Sequence, residues 1–94
     1  MKIHRTGSGE VIGICDTELI GSTCEDEKIC ITVTSYFFGT KPVPADDIKH
    51  ALKEGANITM IGTQTIALAI EIGVLCEENI VLIQGVPYAT IIRF

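Results

Sequence analysis

The sequence predicts an α+β fold, a mixed sheet of about six short strands with two main helices and one single-turn helix, containing one βαβ unit. Three observations carry this expectation: short β-branched runs punctuated by glycine, one proline-started helix with an apolar stripe, and a strand–helix–strand succession in the second half. At 94 residues, 47% of them hydrophobic, the chain is sized for a single domain over residues 1–94. Two domains would leave neither with an adequate core.

Residues 2–6 and 10–15 are short runs separated by Gly7-Ser8-Gly9 and read as an opening hairpin. Val11, Ile12, Ile14 and Cys15 leave little polar alternation, so the second strand is expected inside the sheet, covered on both faces. Residues 16–21 look like one helical turn, with Asp16 as its N-cap, Glu18 in the first turn and Gly21 as terminator. Glu25-Asp26-Glu27 then forms a solvated turn, after which Ile29, Ile31 and Val33 alternate with Cys30, Thr32 and Thr34 as a strand. The aromatic run Tyr36-Phe37-Phe38 at that strand's end is expected to pin a loop onto the core rather than to stack bases.

Residues 40–43 are a proline-punctuated connection, and Pro44 opens a helix over 44–54 that Gly55 closes. Ala45, Ile48, Ala51 and Leu52 give it an apolar stripe, and Asp46 and Asp47 precede His50 and Lys53 in the order that complements the helix dipole. Residues 57–61 read as a buried strand, Thr63 as the N-cap of a helix reaching about residue 72, and 80–84 as the next strand. Such a crossover places its two strands parallel, adjacent or with one strand between them. The helix is apolar nearly all round, from Ile66 to Ile72, so it is expected to need cover from a further element or subunit, and self-association is inferred from that surplus. Gly85-Val86-Pro87 reverses the chain into a last strand over 88–93, antiparallel to its predecessor.

The formal charge of −5 repels phosphate and disfavours a general nucleic-acid coat protein. Four cysteines without a Cys-x-x-Cys pair point to reduced thiols in the cytoplasm, with neither a disulfide scaffold nor a zinc site expected. Lys2, His4, Arg5 and Glu10 interrupt the first ten residues, so no export leader is expected. Residues 58–76 approach bilayer length, but Thr59, Thr63, Gln64, Thr65 and Glu71 favour a buried strand and helix over a membrane span.

Four places are candidates for function. The helix start at Gly62, Thr63 and Gln64, continuing into Thr65, offers backbone N–H groups and a positive dipole end to an anion, although capping by Thr63 explains the same residues. The Gly85, Pro87 and Tyr88 loop offers a partner surface and a phenol, and a rigid turn accounts for it equally. Cys15 beside Asp16 and Glu18 is read as a small buried hydrophobe, because the carboxylates disfavour a thiolate. Lys2, His4, Arg5 and Arg93 would form a basic strip if the first and last strands were neighbours, with RNA binding through it alone weak and solubilising charge preferred. No catalytic residue, metal ligand or cofactor motif stands out.

In order along the chain, Cys15-Asp16-Thr17-Glu18-Leu19-Ile20-Gly21, Tyr36-Phe37-Phe38-Gly39, Ala56-Asn57-Ile58 with Gly62, Ala69-Ile70-Glu71-Ile72-Gly73 and Gly85-Val86-Pro87-Tyr88-Ala89 give the sequence a family likeness. It resembles an archaeal family of small proteins, the domain of unknown function 424 family. The resemblance implies an archaeal cytosolic protein with a housekeeping role near translation, and it transfers no catalytic residue. The functional expectation is a non-enzymatic binding module or adaptor for a protein or ribonucleoprotein partner. The alternative is a small enzyme or ligand-binding domain that recognises a phosphate or carboxylate at the helix N-terminus.

Overall fold

A computed structural model describes residues 1–7, 9–39 and 43–93. Strands β1 (Lys2–Thr6), β2 (Gly9–Cys15), β5 (Asn57–Ile61), β6 (Val81–Ile83) and β7 (Val86–Ile92) build a five-stranded sheet in the order β1-β2-β5-β7-β6. Strands β3 (Thr23–Glu25) and β4 (Cys30–Thr32) form a separate antiparallel pair. Helices α1 (Ser35–Phe38), α2 (Ala45–Glu54) and α3 (Thr63–Glu71) connect them, with single 3₁₀ turns at Thr17–Leu19 and Glu77–Asn79.

The sheet is mixed as expected. Strand β2 pairs antiparallel with β1 and parallel with β5, so it lies inside the sheet. Strand β7 pairs antiparallel with both β5 and β6, which makes β5 and β6 parallel with one strand between them, the arrangement a strand–helix–strand crossover permits. The reversal before β7 sits one residue earlier than the sequence suggests. Gln84 and Gly85 both take positive φ, 51° and 78°, opposite the Ile83–Val86 pair, so Pro87 already belongs to the strand. The Gln84 side chain accepts the Glu25 N–H at 2.8 Å and ties this turn to β3.

Both faces of the sheet are covered. Ile12, Ile14, Ile58, Met60 and Ala89 point to one side and meet Leu52 of α2 with Ile66 and Ala69 of α3. On the other side Ile61 and Ile83 meet Cys24, Val33 and Phe38. Helix α3 is thus buried along Thr65, Ile66 and Ala69 while Ile70 stays 36% exposed, so its apolar surplus is partly met by α2 and partly left to solvent. Arg93 closes the C-terminal end of α2, donating to the carbonyls of Leu52 at 2.8 Å and Gly55 at 2.5 Å.

Two further elements differ from expectation. Thr23–Glu25 carries a single apolar residue, Cys24, yet it is a strand because β4 pairs with it and Cys24 is buried. The aromatic run is a helical turn rather than a strand end: Thr34 Oγ1 accepts the Phe37 N–H at 3.2 Å and nucleates α1. Phe38 is buried and Phe37 half-buried, as expected of a pin, whereas Tyr36 is 76% exposed. Gly13 on β2 permits this packing, since a Cβ there would lie 2.6 Å from the Phe37 carbonyl oxygen. The expected turn at Ser8 and most of the connection at 40–43 lie outside the described residues.

Candidate functional site at the α3 start

Parallel pairing of β2 with β5 brings their carboxyl ends side by side, the position where open sheets hold ligands. Asp16 follows β2 and Gly62 follows β5. The Asp16 N–H donates to Ile61 O at 3.2 Å, and the Gly62 N–H donates to Pro87 O at 2.9 Å, so three strands fix the two residues. Gly62 takes φ 118°, and a Cβ there would lie 2.4 Å from Asp16 Cγ. Only glycine accommodates both the backbone angle and the neighbour.

Asp16 is 6% exposed, and its side chain sits on the first turn of α3. Its Oδ2 accepts the Gln64 N–H at 3.0 Å, while Oδ1 accepts the Thr65 N–H and the Thr65 hydroxyl, each at 2.8 Å. A carboxylate at a helix N-terminus satisfies orphan donors and meets the positive end of the dipole. Asp16 was expected to cap its own 3₁₀ turn, yet it makes no side-chain bond there and caps a helix 48 residues further on. Thr63 correspondingly is the first residue of α3 and not its cap.

A cavity of about 230 Å³ opens beside this joint, lined by Cys15, Asp16, Thr17, Gln64, Thr65 and Leu68 among others. Burial pushes the Cys15 thiol up, the Met1 amino group opposes that shift, and Asp16 adds to it. The thiol is therefore protonated near neutral pH. Among the described residues no group of three or more His, Cys, Asp or Glu side chains could hold a metal ion.

The remaining candidates disperse. Gly85 lies exposed in the turn, whereas Pro87 directs its carbonyl to Gly62, and Tyr88 packs half-buried opposite Ile61 in the second core cluster. Strands β1 and β7 are separated by β2 and β5, so no terminal strip forms. Arg93 serves α2, and Arg5 pairs with Glu10 at 3.1 Å. Lys2 and His4 instead meet the aromatics of α1: Lys2 Nζ lies 4.9 Å from the Tyr36 ring centroid, and His4 stacks on Phe37 at 5.1 Å.

A family model described as "Protein of unknown function (DUF424)" matches residues 3–94. The chain belongs to this family. The fold is similar to the crystal structure of an uncharacterized conserved protein from Methanopyrus kandleri, with a TM-score of 0.76 and 23% identity over 99% of this chain and 90% of that one. No curated protein matches the sequence.

In this DUF424 protein the start of α3 already holds a carboxylate, that of Asp16, supplied by the chain itself. Every buried side-chain polar atom among the described residues has a partner. A second concavity, of about 390 Å³, lies between β1 and α2; Ile3, Ile12 and Ala51 line it together with Glu10, Asp47 and Glu54. Sequence reasoning placed Asp47 only in a dipole-complementing first turn and did not connect it with Glu10 across the fold. The helical spacing of Asp47, His50, Ala51 and Glu54 was the available signal. No helix among the described residues is long and apolar enough to cross a membrane.

Proposed function

We propose that this DUF424 protein is a binding module that engages a protein or ribonucleoprotein partner in the cytoplasm through its surface, rather than an enzyme that turns over a small anion. The observation that supports this reading is the Asp16 joint: a phosphate or carboxylate ligand at α3 would have to displace a buried carboxylate that accepts three hydrogen bonds. Apolar side chains remain at the sheet margins instead, with Leu82 63% and Ile92 57% exposed. The Lys2 ammonium over the exposed Tyr36 ring supports the ribonucleoprotein form of the partner, and the Methanopyrus neighbour supports an archaeal setting.

The test pairs two measurements. Tagged protein is used to capture partners from archaeal lysate at physiological salt, and the captured candidate is purified and rebound at defined stoichiometry. Thermal-shift screening against nucleotides and phosphorylated metabolites is expected to leave the melting point unchanged. A ligand present at 100 times its dissociation constant would add about 2.7 kcal/mol, so a clear shift overturns the reading.

A further inference from the structure

We infer that the groove between β1 and α2 is the docking surface of this module, and that its occupant is a basic segment of another protein, an apolar side chain flanked by lysine or arginine. The inference rests on the binding-module reading and adds the place and the chemistry of the partner. The groove floor is apolar, with Ile12 and Ala51 buried and Ile3 still 44% exposed. A concavity of about 390 Å³ admits a branched aliphatic side chain with room for its neighbours.

Charge selects the occupant. Asp47, His50, Ala51 and Glu54 follow the i, i+3, i+4, i+7 spacing of one helix stripe and all line the groove, whereas Lys49 and Lys53 fall outside its lining. Helix α2 therefore turns two carboxylates toward β1. Across the groove Glu10 is engaged by Arg5 at 3.1 Å, the one ion pair among the described residues, and Met1 also lines the groove, so Asp47 and Glu54 together outnumber the one Met1 amino group and leave the surplus acidic. Strand β1 ends the sheet order, which leaves the groove approachable along that edge. A net charge of −5 steers a cationic segment toward the molecule as a whole. A second copy of this chain would bring its own acidic excess and is disfavoured by the same field.

The experiment measures fluorescence anisotropy of labelled short peptides in which leucine or isoleucine is flanked by lysine or arginine, titrated with the full chain, beside the same peptides carrying glutamate. The basic peptides are expected to saturate, with affinity falling as salt rises, and the acidic ones to show no binding. Asp47→Lys with Glu54→Lys is expected to weaken binding about tenfold. Both positions are exposed, and an unchanged melting point confirms folding. Ile3→Ala is expected to weaken binding without changing its salt dependence. Equal binding of acidic peptides, unchanged affinity after charge reversal, or failure of every basic peptide to saturate overturns the inference. So does a concentration-dependent dimer that the reversal abolishes. If a captured partner rebinds undiminished to the charge-reversed protein, the groove assignment falls while the module reading stands; if the unaltered protein has no partner, the module reading itself falls.

Discussion

Asp16→Ala removes a carboxylate that joins the end of β2 to the start of α3, and its cost can be worked out from the bonds it breaks. Three hydrogen bonds to a charged acceptor disappear, and each such bond contributes about 1.5–3 kcal/mol when its partners stay buried. The helix end can open to water and recover part of this, and loss of an ordinary N-cap costs about 0.5–2 kcal/mol. A net loss of about 3 kcal/mol lies between these bounds. For a domain of this size that lowers the melting temperature by roughly 12–24 °C. Asp16→Asn keeps one acceptor oxygen and presents an amide to a backbone donor, so its loss is expected to be smaller but clear. Thr65→Val deletes the hydroxyl bond alone and should cost about 1 kcal/mol. Urea denaturation followed by circular dichroism gives each value, and the Asp16/Thr65 double-mutant cycle gives the coupling. Thr63→Ala serves as the opposing control, because a cap at Thr63 would make it the damaging change, whereas the joint at Asp16 leaves it within about 0.5 kcal/mol. An Asp16→Ala protein as stable as the original, or one strictly additive with Thr65→Val, refutes the reasoning.

Three further outcomes are expected. Gly13→Ala drives a Cβ to within 2.6 Å of the Phe37 carbonyl and 2.8 Å of its ring, so it should cost about 1–3 kcal/mol and alter the near-ultraviolet dichroism; an unchanged spectrum and stability contradicts this. Because burial pushes the Cys15 thiol up, iodoacetamide at neutral pH should modify exposed Cys30 and Cys76 first, as read by mass spectrometry of peptides, and preferential labelling of Cys15 contradicts it. The backbone N–H groups of Lys28 and then Ile29 hold the Asp26 carboxyl below the ordinary carboxylate range. The folded value lies under the unfolded one, so the turn's contribution is complete above the ordinary range and is lost as pH falls through the lowered value. The amide resonances of both residues should titrate together with that depressed midpoint, and a midpoint in the ordinary range or above contradicts the assignment.

What could be read from the sequence was local. Asn57–Ile61 and the end of α2 at Glu54 fall where the residue pattern puts them, because period, proline and glycine act over a few neighbouring positions. The parallel relation of β5 and β6 followed from the crossover rule, which needs only the order of elements. Thr23–Glu25 and α1 were hidden for a physical reason: the first becomes a strand through pairing with β4, and the second through a threonine cap that outweighs the strand preference of three aromatics.

Asp16 shows why the site was harder to read than the fold. In the run Asp16-Thr17-Glu18-Leu19 an aspartate before a helical turn is a sufficient local explanation, and nothing nearby points to residues 48 and 49 positions away. The hint lay at the other end, in a glycine between a buried strand and a helix, where the tight approach of a neighbour is one reason for glycine to be there. Once β2 and β5 lie parallel, the residue leaving one strand faces the helix leaving the other, and a carboxylate there is held more firmly by the fold than by its own turn. The same geometry makes a ligand site in an open sheet when the loop after the first strand supplies no anion. With Asp16 supplying one, the α3 terminus becomes a structural joint, and the docking surface we propose lies outward, at the margin where α2 sets carboxylates above the apolar side chains of β1 and β2.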